Sequence, residues 1–123
     1  MRYTLMLNHV EPAPGEIPED ELASFQAAFD AYAKDLEAAG VLRAAEILSS
    51  SELTTTVTVR DGALKVQDGP FAEAKEMVGG IFVIDVPDLD AALAWAERCP
   101  AAQYGVIEVR PAAIAFVDGE WRM

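Results

Sequence analysis

The chain is poor in several things at once: 123 residues hold one cysteine, one histidine and nine basic side chains. A single thiol, Cys99, can close no intrachain disulfide and supply no cysteine cluster to a metal. The lone His9 is no metal site by itself, and without a strained Gly-x-Ser-x-Gly turn a nucleophilic triad has no support. No glycine loop of the phosphate-cradling kind is present either, so no cofactor or metal is expected. The nine cations, Arg2, Lys34, Arg43, Arg60, Lys65, Lys75, Arg98, Arg110 and Arg122, are scattered along the chain. With no basic cluster to displace counterions, neither direct nucleic-acid binding nor attachment to an anionic membrane is expected. No apolar run approaches the roughly 20 residues of a membrane span. The start, MRYTLMLNHV, has one arginine, a short apolar run and no small-residue cleavage site, so it reads as no signal peptide and a cytoplasmic setting is the expectation.

Acid is what the chain has in excess: 21 Asp and Glu give a formal charge of −12. Both halves share it, four basic against ten acidic side chains in residues 1–60 and five against eleven in 61–123. A solvated, acidic surface follows. At 13.2 kDa a folded chain exposes roughly 6,400 Å², about a third of its extended area. One domain with a real core is therefore expected, and an apolar content of 52% with 24% charged residues fits it.

Alternation over Arg2 to Asn8 sets Tyr3, Leu5 and Leu7 against Thr4, Met6 and Asn8 and predicts a strand. A Pro- and Glu-rich loop follows. Leu22, Phe25, Phe29, Tyr32 and Leu36 then recur at spacings of three and four, the core stripe of a helix with an acidic first turn and Gly40 as its stop. Val41 to Ser49 is a second predicted strand. Thr54 to Arg60 and Leu64 to Gln67 flank Asp61-Gly62 as a hairpin. Gly79-Gly80 relieves crowding before a strand at Ile81 to Val86. Asp88 caps a second helix, whose predicted buried positions are Leu89, Ala92, Leu93 and Ala96. Gly105 to Arg110 is the last main strand, and the tail holds one further short strand near Ala113 to Val117.

This order is the split βαβ plan of ferredoxin-like α+β domains, with an inserted β-hairpin. Both helices then cover one sheet face. Parity assigns Leu5, Leu7, Val57, Val59, Phe82, Ile84, Ile107 and Val109 to that face. The other carries Met6, Ile81 and Val83 beside Thr56, Thr58, Arg60, Asp85, Glu108 and Arg110. An apolar sheet face of this kind predicts a homodimer of facing sheets, whose polar members either line a small-molecule cavity or face bulk water.

Residues 68–76, DGPFAEAKE, followed by Gly79-Gly80, the strand IFVIDV, the run PDLDA and the closing YGVIEVRP resemble the DGPF branch of the YciI-related (YCII) family, as does the opening MRYTLML. The resemblance covers residues 1–111 and leaves 112–123 as a C-terminal extension. It implies a ferredoxin-like fold pairing into a dimeric α+β barrel, and a His and Asp pair as the family's catalytic candidates. Asp68 matches the family's aspartate. The family's histidine, near the start of the first helix, has no counterpart between Pro18 and Ser24, and Ala74 stands where a threonine is common.

Asp68 is either a turn former, bonding backbone amides next to Gly69 and Pro70, or a base. His9, directly at the end of the first strand, is the acid partner or ligand contact if the two meet, and otherwise a loop residue. Arg60 and Arg110, at strand ends, are candidate anion-binding groups unless Glu108 or Asp85 occupies them. Phe71 reads as a core or pocket-wall residue, and Lys75 as an ion-pairing turn residue between Glu73 and Glu76 or an anion contact. Nothing activates Cys99. The functions that follow are a dimeric binder of a small anionic or cyclic molecule with lyase- or isomerase-type proton transfer, or a non-enzymatic interaction module. For the second, the resemblance suggests a companion of an extracytoplasmic-function sigma factor. A cofactor-using monooxygenase is a third reading, by fold analogy alone.

Overall fold

The structure, a computed structural model, describes residues 1–13, 15–72 and 74–123. Strand β1 (Arg2–His9) realises the alternation: Tyr3, Leu5 and Leu7 are buried while Arg2, Thr4, Met6 and Asn8 remain half-exposed. Helix α1 (Glu19–Ala38) starts without a side-chain cap but with Glu19, Asp20 and Glu21 in its first turn, where acid favours the helix dipole. It stops at Gly40, whose φ of 75° lies in the left-handed region. There the amides of Gly40 and Val41 turn back to the carbonyls of Glu37 and Leu36.

Strands β2 (Leu42–Ile47), β3 (Thr55–Arg60), β4 (Ala63–Asp68) and β5 (Met77–Asp85) precede helix α2 (Leu89–Arg98), which Asp88 caps by accepting from Ala91 N at 2.9 Å. Strands β6 (Val106–Pro111), β7 (Ala115–Val117) and β8 (Glu120–Arg122) complete the chain. The main sheet has the order β2-β5-β1-β6, with every neighbouring pair antiparallel. Tyr32 and Leu36 of α1 and Ala92 and Ala96 of α2 share one buried cluster with Tyr3, Leu5, Leu7, Phe82 and Ile84, so both helices lie on one sheet face. The architecture is α+β, compatible with a ferredoxin-like layout, and the sheet is open. Each large side chain buried there contributes roughly 1.5–3 kcal/mol. No helix among the described residues is long and apolar enough to cross a membrane.

Four expectations need correction. The β3–β4 hairpin pairs only with itself and is a separate two-stranded sheet. Hence Val57 and Val59 do not join the helix-covered face, and Thr56, Thr58 and Arg60 do not share a face with Glu108 and Arg110. A 3₁₀ turn at Ser51–Leu53 carries the chain off the sheet, and Gly69 N to Thr54 O, with Thr56 Oγ1 to Gly69 O, closes the hairpin on itself. Second, Gly79 and Gly80 lie inside β5, which begins at Met77. Third, Leu89 and Leu93 are exposed while Ala92 and Ala96 are buried, because α2 meets the sheet through its alanines. Fourth, Leu22 and Phe25 are 45% and 36% exposed; only the last turns of the α1 stripe are core.

Candidate functional site

The unfilled half of that stripe overhangs a cavity of about 410 Å³ at the C-terminal end of β1. Its walls are Leu7, Val10, Ile17, Leu22, Phe25, Phe29, Ile47 and Leu48, and its polar side chains are His9, Glu21 and Tyr104. Three backbone features seat the histidine. His9 is the last residue of β1, opposite Met77 in register, and the pairing shifts between Leu7 and Asn8, where Gly79 is the extra residue of β5. A Cβ on Gly79 would collide with the His9 imidazole, so glycine is what leaves room for the ring. Gly105 has a similar duty on the other side, since a Cβ there would strike the Asn8 carbonyl and push β6 away from β1.

His9 Nδ1 lies 3.1 Å from the carbonyl of Val10. A carbonyl only accepts, so this bond needs Nδ1 protonated and leaves the Nε2 lone pair free in the neutral ring. Tyr104 meets the imidazole edge-on at 6.1 Å between ring centroids and meets Phe25 at 5.4 Å. Burial, with a smaller push from the neighbouring Cys99 thiol, raises the Tyr104 phenol above its usual value. It therefore stays protonated near neutrality and can donate to an acceptor. An imidazole lone pair and a phenol O–H, in a box that is apolar apart from them and Glu21, can exchange a proton with a bound oxygen acid.

Asp68 sits at the end of β4, exposed and opposite Thr55, and does not line this cavity. Within one protomer the structure does not bring His9 and Asp68 into one site. Phe71 is 86% exposed and walls nothing here. Lys75 lines a separate cleft with Glu11, Ser51, Glu52, Pro70, Ala74 and Met77, where Glu11 accepts from Ser51 N at 2.9 Å and Ser51 Oγ at 2.7 Å. Its expected pairing with Glu73 falls outside the described residues. Arg60 donates to the Val59 carbonyl of its own strand at 3.1 Å. Arg110 stands opposite Thr4 on the uncovered sheet face. Cys99 is buried, which pushes its thiol pKa up. Among the described residues no three His, Cys, Asp or Glu side chains group to hold a metal ion.

Tyr104 escaped sequence reasoning because it sits just before β6, in no periodic pattern. Leu22 and Phe25 carried a visible signal, but a stripe does not say whether it faces a sheet or a gap. Gly79-Gly80 inside an apolar run was the most direct pointer to the site.

A family model described as YCII-related domain matches residues 1–114. An uncharacterized protein of Rhizobium meliloti (strain 1021) is 42% identical over 71 residues, covering 54% of this chain and 56% of that protein. The chain thus spans little more than half the length of that relative.

Proposed function

The chain belongs to the YCII-related domain family, matched over residues 1–114, and from that premise we propose that it binds a small cyclic molecule in the cavity at the end of β1. One observation carries this: about 410 Å³ of apolar space holds an imidazole and a phenol side by side. Such a volume lies in the range of small-molecule sites, where few polar groups fix orientation. A ring bearing an acidic hydroxyl, a phenol or cyclic enol, fits best. For a cyclic enol, His9 Nε2 takes the hydroxyl proton and, as the imidazolium, returns it to the ring carbon as the C=C–O⁻ system becomes C–C=O, while a Tyr104 hydrogen bond steadies the oxygen. The imidazole ends neutral, which is isomerase-type proton transfer. Asp68 has no part in this reading within one protomer.

The same reading includes a homodimer with the uncovered sheet faces opposed, the dimeric α+β barrel. The single chain exposes 8649 Å², roughly 2,200 Å² more than a compact monomer of its mass. The β3–β4 ribbon explains part of the excess. Thr56 and Thr58 are half-covered, while Val57, Val59, Leu64 and Val66 on its other face are 58–68% exposed, an inverted arrangement for a strand pair in water. An interaction module would use that ribbon on a different protein, and the binding experiment separates the two.

Thermal unfolding with phenol-type and cyclic-enol probes tests the site. At ten times its dissociation constant a ligand adds about 1.4 kcal/mol, so millimolar probe is required. Stabilisation is expected in the wild type and should fall at least tenfold in affinity in His9→Ala and Tyr104→Phe. Binding that survives both changes, or no binding at all, overturns the assignment. Sedimentation of the same samples should give twice the chain mass.

A further inference from the structure

A second cavity, about 560 Å³, lies at the other end of β1 and on the uncovered sheet face. Its charged side chains are Arg2, Arg43, Arg122 and Asp85. In a chain with 21 acidic and nine basic side chains, four charged groups drawn at random would be about three acids and one base. The cavity reverses that ratio.

The three arginines come from three elements. Arg2 and Asp85 are register partners on β1 and β5. Arg43 is the extra residue of a bulge in β2, between the pairs Leu42 with Ile84 and Ala44 with Val83. A bulge re-aims its side chain, and here the guanidinium is held by the Gly40 and Leu42 carbonyls, each at 3.2 Å, 3.7 Å from Asp85. Arg122 arrives on the β7–β8 hairpin, beyond the family match. That hairpin turns at Asp118-Gly119, both with positive φ, is tied to β1 by Ala112 N to Arg2 O at 2.9 Å, and is pinned by Phe116 against Trp121 at 5.2 Å.

The one carboxylate side chain is already engaged. Asp85 accepts from the Met1 amine at 2.8 Å and faces Arg43, and these partners hold its carboxyl below the ordinary range. Among the described residues Arg122 pairs with Glu120 on its own exposed strand at 3.9 Å, which competes weakly with a ligand. Side chains alone leave an excess of two positive charges beside an apolar wall of Ile114, Ala115 and Val117.

We propose that this cavity binds a small organic dianion, with guanidinium forks on its oxyanion groups and its carbon skeleton against the hairpin wall. Guanidinium is the group suited to paired oxygens, whether carboxylate or phosphate. The site is independent of the His9 cavity and stands or falls separately.

Titration calorimetry of the full chain at constant ionic strength, with succinate, phenyl phosphate and inorganic phosphate as probes, tests it. Saturable binding is expected, with the two organic dianions ahead of inorganic phosphate. Whichever of succinate and phenyl phosphate binds tighter identifies the oxyanion. Arg43→Gln and Arg122→Gln should each weaken it roughly ten- to a hundredfold, whereas Lys34→Gln, an equal change of charge on the far side of α1, should leave it unchanged. Asp85→Asn, which removes the only acidic side chain of the cavity, should tighten it. Absence of saturable binding, equal loss in Lys34→Gln, or no gain in Asp85→Asn overturns the proposal, the last even if an arginine variant fails to fold.

Discussion

The two ends of β1 are furnished oppositely. Leu7 and His9 open onto an apolar box under α1, and Arg2 opens onto an arginine-lined cavity on the bare face. Seven residues at roughly 3.3 Å each put them about 23 Å apart. Strand parity separates them, since odd residues of β1 point to the helices and even ones away. What covers each face then decides the chemistry. On the helix side α1 is 20 residues long, about 30 Å, and its buried residues, Tyr32 and Leu36, lie in its last turns. The first half overhangs the sheet and leaves a gap lined with its own apolar stripe. On the bare side no helix of the same protomer covers the sheet, and at this end of β1 a bulge and a terminal hairpin collect charged groups that stay in contact with water wherever a facing copy leaves the sheet end open.

Removing what the ends share has the largest effect. Leu5, fully buried at the middle of β1, underlies both; Leu5→Ala should cost about 2–5 kcal/mol, read from the urea midpoint, and weaken probes at both cavities. A loss below about 1 kcal/mol would mean that β1 is not their common support. Gly79→Ala separates them. The added methyl displaces the His9 ring, so binding of a phenol-type probe should fall at least tenfold while succinate binding stays within about twofold. Equal losses would show that the ends are coupled through the strand.

Tyr32 tests the anchored half of α1. Its hydroxyl donates to the Trp95 carbonyl at 2.7 Å, and burial first, then the nearby Cys99 thiol, raises its pKa well above the model-peptide value of 10.0. Below that value both folded and unfolded chains keep the proton, and the stabilisation is complete. As pH climbs past it the unfolded chain gives up its proton first, so stability drains away toward the higher folded pKa. Tyr32→Phe should cost about 1 kcal/mol at pH 7, and urea unfolding at pH 10.5 should show the variant and wild type drawing together. A gap that widens with pH contradicts the raised phenol.

How much of this was legible varies with range along the chain. Local patterns were read correctly at Tyr3, Leu5 and Leu7, at Phe82 and Ile84, at the Gly40 stop, at the Asp88 cap and at the Asp61-Gly62 turn. What failed was pairing between distant segments. Val57 and Val59 alternate identically whether β3 joins the main sheet or stands as a free ribbon. The Leu22 and Phe25 stripe looks the same over a sheet as over a void. Arg43 carries no mark of its bulge, which exists only through the register with β5. His9 was legible as a residue at a strand end, while its neighbour Tyr104 was brought there by β6 and the turn before it.

The smallest expected effect concerns what holds the overhang open. Arg98 of α2 reaches Asp35 in the last turns of α1 at 2.8 Å and lies over the Trp95 ring, 4.4 Å from its centroid. Both charged partners are about half exposed, so the pair is worth no more than about 1 kcal/mol, with the ring contact of similar size. Yet it clamps the two helices at the anchored end of α1, and a small rotation there is magnified over the length of the helix at Leu22 and Phe25. Arg98→Ala should therefore lower stability by less than about 1 kcal/mol, weaken a phenol-type probe about two- to threefold, and leave succinate binding untouched. Salt screens exposed pairs, so the stability difference should shrink in 0.5 M NaCl while the loss of the ring contact remains. A fall in succinate affinity instead would show that the helix layer also governs the arginine end, and the two cavities would no longer be separate consequences of strand parity.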